Sequence, residues 1–181
     1  MIVIRPALPA DARAITEIAN ALLSSTTYEW TEIGYSVGER EHWLQDQGLA
    51  GDPVFVAEDG GAVVGWASYG DFRDTNRWPG YGRTAEHSVH VGEGHWGQGI
   101  GRSLLVELAD HARRAGKRVL VAAIDSTNVR SITFHAKMGF VEVARMPGVG
   151  EKWGKRLDLV LMQLDLDRAP RREATRAPMR E

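Results

Sequence analysis

The segment from residue 86 to residue 124 constrains this chain more than any other. Glu86–Val91 reads as a strand, Gly92–Gly101 holds five glycines in ten residues, and Arg102–Ala115 is an amphipathic stretch that stops at Gly116. Arg118–Ile124 (RVLVAAI) is nearly all apolar, the mark of a strand buried on both faces. Strand, glycine-rich turn, helix and buried strand in that order make one βαβ unit. At such a turn the backbone N–H groups point outward with partial positive charge and suit a phosphate or pyrophosphate. Glycine has no Cβ, so a ligand can come close. The bland alternative is a flexible connector with no ligand.

The rest of the chain supplies the partners of that unit. Ile2–Arg5 predicts a first strand, and Pro9 suits the first turn of a helix. Ile15, Ile18, Ala19, Leu22 and Leu23 then mark one apolar helical face. Ser36-Val37-Gly38-Glu39 has capping-box form and predicts a second helix ending at Gly48. Val54–Glu58 and Ala62–Tyr69 flank Asp59-Gly60-Gly61 as a hairpin. Gly70–Thr84 is a long polar, aromatic-studded loop of the kind that carries function. Thr127 or Asn128 caps a helix to about Met138, and Phe140–Met146 and Leu157–Asp165 close the domain as strands. The order β-α-α-β-β-β-α-β-α-β-β predicts an α/β fold: a mixed sheet (α+β in pairing) with helices on its faces, in one domain over residues 1–166. Residues 167–181 (DRAPRREATRAPMRE) carry five Arg against three acids and almost nothing to bury, which predicts a disordered tail.

Composition removes several classes of function. With no cysteine, the chain has no disulfide framework, thiolate metal site or cysteine nucleophile, and it suits a reducing, cytoplasmic setting. No apolar run reaches the ~18 residues of a membrane span, and the N-terminus has no leader pattern, so no membrane partner is expected. The net charge of −2 argues against nucleic acid, which is gripped by clustered positive charge.

The glycine segment reads in two registers. Gly92-Glu93-Gly94-His95-Trp96-Gly97 fits G-x-G-x-x-G, with Asp125 at the end of the next strand where a ribose-binding acid would stand. A doubly wound dinucleotide fold needs several βαβ units, however, and only one is evident. Gly97-Gln98-Gly99-Ile100-Gly101-Arg102 lies flush against the helix instead. This second register resembles the pyrophosphate loop of the GNAT acetyltransferases, (Arg/Gln)-x-x-Gly-x-(Gly/Ala), with Trp96 in place of the Arg or Gln. The resemblance extends through Ser25–Trp30, Gly70–Arg73, Thr84–Val91, Asn128–Phe140, Met146–Gly150 and Lys152–Gly154 with Leu157–Leu159. Over residues 1–166 the chain is similar to the phosphinothricin and methionine sulfoximine/sulfone N-acetyltransferases. It departs from them in a longer 70–84 loop and at Arg156, where an aromatic is typical.

The resemblance implies an acetyl-CoA-dependent N-acetyltransferase that acts on the α-amine of a small amino-acid-like acceptor by direct attack in a ternary complex. It implies Glu86 as general base, a role that needs a carboxylate within hydrogen-bond reach of the amine. It implies His135 as the group that protonates the leaving thiolate. Cofactor contacts would come from Val89, His90, Val91, Gly97, Gln98, Gly99, Ile100, Gly101, Arg102 and Asn128, and backbone amides near Val91 would hold the oxyanion. Acceptor contacts would come from Arg73, Glu86, His87 and Ser88, with Arg73 clamping a carboxylate through its guanidinium fork. His87 and His90, three apart on a strand, point to opposite faces, so no metal site is expected. Relatives pair, so a homodimer is expected. The competing functions are a GNAT acting on another amine (polyamine, other amino acid or peptide N-terminus) and a non-catalytic acyl-CoA-binding module.

Overall fold

The computed structural model describes residues 1–168. Strand β1 (Ile2–Pro6) leads through a 3₁₀ turn at Pro9–Asp11 into α1 (Ala12–Ser25), which buries Ile15, Ala19 and Leu23 along the predicted face. α2 (Val37–Ala50) begins at the predicted capping box. Ser36 Oγ accepts from the Glu39 amide, and the Glu39 carboxylate accepts from the Ser36 amide. The helix passes Gly48 and stops at Gly51, whose φ of 75° gives the left-handed C-cap. The hairpin of β2 (Val54–Asp59) and β3 (Ala62–Asp71) follows, then β4 (Thr84–Val91), α3 (Ile100–Arg114), β5 (Val119–Asp125) and α4 (Val129–Lys137).

The last two strands are β6 (Val141–Lys152) and β7 (Lys155–Asp165), so the element order is the predicted one. β6 is longer than expected. It resumes pairing with β7 beyond an irregularity at Met146/Gly150 and reaches the turn Trp153-Gly154. There φ is 51° and 70°, the positive-φ pair of a tight hairpin. Tryptophan at a position that favours Asn or Gly hid this turn from the sequence.

The seven strands form one sheet in the order β1-β2-β3-β4-β5-β7-β6, antiparallel except for β4 beside β5. On one face, α3 packs Leu104, Leu105 and Leu108 over Ala57, Ala67, Ala85 and Leu120. On the other, α1 sets Ile15 and Ala19 against Val56 and Trp66. Strand alternation therefore sends Glu86, Ser88 and His90 toward α1 and α2, and Ala85, His87 and Val89 toward α3 and α4. β4 and β5 pair only over Thr84–Glu86 and Val119–Val121, yet they run on to Val91 and Asp125. The sheet opens between their C-terminal halves.

Leu166 is buried, and its amide donates to the Arg118 carbonyl. Of the predicted tail, Asp167 and Arg168 form a turn, and residues 169–181 lie outside the described residues. Among the described residues no helix is long and apolar enough to cross a membrane.

Candidate active site

The gap between β4 and β5 is occupied by a cavity of about 950 Å³. Nearly every residue predicted to hold a cofactor lines it: Val89, His90 and Val91 from β4, Gly97, Gly99, Ile100, Gly101 and Arg102 from the glycine turn and α3, and Asn128. Gln98 is the exception; its amide donates to the Gly94 carbonyl instead. Gly97 and Gly99 have φ of 79° and 80°, and no atom stands within 4 Å of where their Cβ would be. Their backbone is open to a ligand, and Gly99 is the N-cap of α3, with no side chain capping the helix.

Trp96, which stands in place of the Arg or Gln of the resemblance, has two contacts. Its indole N–H donates to the Val91 carbonyl at 2.7 Å, and the Arg130 guanidinium lies 4.7 Å from its ring centre. Arg130, Arg102 and Lys137 give the cavity three cations. Asn128 caps α4: its Oδ1 accepts from the Ser131 amide at 3.0 Å.

Asp125 argues against the dinucleotide register. The buried carboxylate accepts from the Thr127 amide (2.8 Å), the Thr127 hydroxyl (2.7 Å) and the Trp30 indole (3.2 Å). Burial works against its charge, but these hydrogen bonds hold its pKa below the ordinary carboxylate value. It ties loop to strand and is not free for a ribose.

His135 and His87 meet at this cavity, with ring centres 5.1 Å apart. His135 Nδ1 lies 2.8 Å from the Ser131 carbonyl, which can only accept, so the ring proton sits on Nδ1. Nε2 is buried without a partner, and burial lowers the ring's pKa. His135 is thus a neutral imidazole with an accepting Nε2, whereas thiolate protonation needs a proton there. Burial pushes His87 down to about 3, and neither of its nitrogens has a partner. His87, grouped in the sequence reading with Glu86 and Ser88 as an acceptor contact, packs on Phe140 and His135, on the other side of the sheet from those two. The strand alternation that separates it from His90 also separates it from Glu86.

A second, polar cavity of about 440 Å³ lies on the α1/α2 side, lined by Glu29, Arg40, Trp66, Glu86, Ser88 and His90 among others. Burial raises the pKa of Glu86, and Arg73 opposes that shift through its charge. Arg73 itself is exposed on the loop after β3, with its guanidinium 5.5 Å from the Phe72 ring centre, and it does not line the cavity. Glu29, Ser88 and His90 line both cavities, so the two meet at these side chains. His90 stacks on Trp66 at 4.4 Å and sets Nε2 3.3 Å from Glu29 Oε1. Burial pushes His90 down to about 4 and Glu29 above its ordinary value, so the contact joins a neutral ring to a carboxyl.

The sequence reading missed Glu29, Arg40 and the clasp that positions Glu29. Lys152 is fully buried and donates to the carbonyls of Leu23, Thr26 and Glu29 at 2.6, 2.9 and 2.7 Å. Trp30 lies so close on Gly150 that no Cβ fits there. The β6–β7 hairpin thereby fixes the segment after α1. The signal available was the pairing of Ser25–Trp30 with Lys152-Trp153-Gly154 in the same resemblance. Among the described residues, no three His, Asp or Glu are placed to hold a metal.

Residues 15–140 match the acetyltransferase (GNAT) family, to which the chain belongs. It is 46% identical over 164 residues to an L-methionine sulfoximine/L-methionine sulfone acetyltransferase of Salmonella typhimurium, covering 91% of this chain and 94% of that one. A Salmonella typhimurium acetyltransferase solved with its cofactor acetyl-CoA superposes with a TM-score of 0.87 at 46% identity, over 92% of this chain and 95% of that one. A phosphinothricin acetyltransferase from Sinorhizobium meliloti, solved in complex with acetyl-CoA, gives a TM-score of 0.85 at 32% identity, over 91% and 88%.

Proposed function

We propose that this chain is an acetyl-CoA-dependent N-acetyltransferase for the α-amine of small amino-acid-like acceptors of the methionine sulfoximine, methionine sulfone or phosphinothricin type. The observation that carries this reading is the meeting of the two cavities at Glu29, Ser88 and His90. One cavity suits a long phosphorylated thioester: it has open glycine amides at a helix start, three cations, and two strand stretches that do not pair with each other. The other is small, polar and charged, as an amino acid requires.

Acetyl-CoA bound along the first cavity supplies the activated acetyl group. The chain's own residues manage the protons. Glu86 accepts a proton from the acceptor ammonium, and its partial desolvation beside the polar cavity makes it a stronger base than a fully solvated glutamate. The free amine attacks the thioester carbonyl; the C–N bond forms, the C–S bond breaks, and the thiolate leaves with the electron pair. The attacking nitrogen carries a positive charge once the C–N bond has formed and must lose a second proton; His135 begins neutral, so its Nε2 takes up that proton and passes it to the leaving thiolate. Amides near Val91 offset the oxyanion charge. No acetyl-enzyme forms.

The chain is inferred to act as a cytoplasmic homodimer. Trp78, Tyr81, Met146, Val149 and Trp153 expose apolar area that a second copy would cover. Thiol release from acetyl-CoA against a panel of amino acids, polyamines and peptide N-termini tests the function: turnover is expected with methionine sulfone and sulfoximine. Turnover confined to polyamines or peptides would refute the acceptor class. A thermal shift with NAD(P) and none with acetyl-CoA would refute the cofactor.

A further inference from the structure

The one buried side chain of α2 is a cation, Arg40, only 7% exposed. Its guanidinium carbon lies 4.5 Å from the ring centre of Tyr35, 4.7 Å from Trp43 and 5.5 Å from Trp66. Its Nε has no hydrogen-bond partner, and among the described residues no carboxylate oxygen stands within 4.0 Å of the guanidinium. Glu39, one residue away, is committed to the helix cap through the Ser36 amide and hydroxyl. Glu29 faces His90. Glu29 and Glu39 act on Arg40 through their charge, but neither contacts it. A buried cation with no hydrogen-bonded anion is costly, and three aromatic faces and distant carboxylates offset only part of that cost. Arg40 also lines the polar cavity that holds Glu86.

We propose that Arg40 is the anion-binding residue of the acceptor site, its guanidinium taking the carboxylate of an α-amino acid whose amine is presented to Glu86. This rests on the acceptor cavity argued above and adds a buried cation to the exposed Arg73, whose charge also reaches Glu86. A planar fork matches a carboxylate bidentately, and with water excluded the contact is strong. The aromatic cradle holds the fork in place before substrate arrives, which lowers the ordering cost of binding. The cavity then has one cation for the carboxylate and acidic side chains for the ammonium, the charge pattern of an amino-acid zwitterion. An acceptor without a carboxylate leaves Arg40 unpaired and is discriminated against for that reason.

The test compares methionine sulfone with its decarboxylated amine, 3-(methylsulfonyl)propylamine, in the thiol-release assay, using the full chain and the variants Arg40→Met and Arg40→Lys. Wild type is expected to favour the amino acid by about 100-fold in kcat/KM, the scale of hydrogen bonds to a charged partner. Arg40→Met is expected to collapse that ratio to within a few-fold, mainly through a higher KM for methionine sulfone, while CoA affinity holds. Arg40→Lys keeps the charge without the fork and is expected to restore part of the ratio; it also serves if the Met variant fails to fold. A preference in wild type that persists in both variants overturns the role of Arg40 and leaves the acceptor reading standing. Equal loss for both compounds also overturns it, because Arg40 would then only shape the cavity. Turnover of neither compound, with turnover of polyamines or peptides, overturns the acceptor reading and this inference with it.

Discussion

Lys152→Met removes the ammonium that joins β6 to the end of α1 while keeping most of its aliphatic stem. Three carbonyls lose their charged donor: Leu23, Thr26 and Glu29, at 2.6, 2.9 and 2.7 Å from Nζ. Leu23 and Thr26 stand at the C-terminal end of α1, where a cation also offsets the helix dipole. Each buried acceptor left without a donor costs about 1–3 kcal/mol. Three such acceptors sum to about 3–9 kcal/mol, and relief from keeping an ammonium buried returns part of that, leaving about 3–5 kcal/mol net. In a domain of this size the melting temperature falls roughly 2–4 °C per kcal/mol, so a drop of roughly 6–20 °C is expected. Urea denaturation and thermal melts measure the stability loss. Because the loosened segment carries Glu29, the acceptor KM should rise more than the Kd of CoA. A loss below about 1 kcal/mol with an unchanged acceptor KM would refute the strut and the positioning it provides.

Glu86→Gln should cut kcat/KM for the acceptor by about 10²–10⁴ at neutral pH, with a smaller loss as pH rises and the amine deprotonates unaided; a loss equal at every pH would assign Glu86 to positioning alone. The raised pKa of Glu86 places the acid limb of the wild-type pH–rate profile above the range of an ordinary glutamate, and a limb at the ordinary value would contradict that environment. Stability should fall in acid: His87 and His90, held near 3 and 4 in the fold against 6.5 when unfolded, leave the unfolded chain binding more protons in between. Stability therefore rises with pH across that window and is lost as pH falls from 6.5 toward 4, and melts of His87→Phe should show a flatter dependence. Arg130→Ala should weaken CoA binding about three- to tenfold at low salt and less at high salt, as calorimetry would show, because its charge is screened at the cavity mouth; a salt-independent change would place Arg130 away from the phosphates.

Patterns carried by consecutive residues were readable from the sequence. The capping box at Ser36, the glycine turn before α3 and the apolar β5 each depend on a short local rule, and each stands where that rule puts it. What sequence could not supply was convergence. Arg40 lies on a helix whose Trp43 and Leu44 pack against the core, and only its burial against Trp66 of β3 reveals a cation lining the polar cavity. Glu29 lies in a segment without regular structure, fixed by Lys152 from more than a hundred residues away. Arg73 belongs to a recognisable stretch, but position in a motif does not say how a loop turns, and the structure leaves its side chain exposed with its charge reaching Glu86. His87 shares a motif with Glu86 and Ser88, but adjacent residues on a strand face opposite sides, and its ring meets His135 instead.

Steady-state kinetics in which acetyl-CoA and methionine sulfone are varied together test the two-cavity account most directly. If amine and thioester meet at Glu29, Ser88 and His90 with both substrates bound, the double-reciprocal lines intersect, and enzyme incubated with acetyl-CoA alone shows no acetyl adduct by intact mass. Parallel lines together with an acetylated enzyme would contradict it.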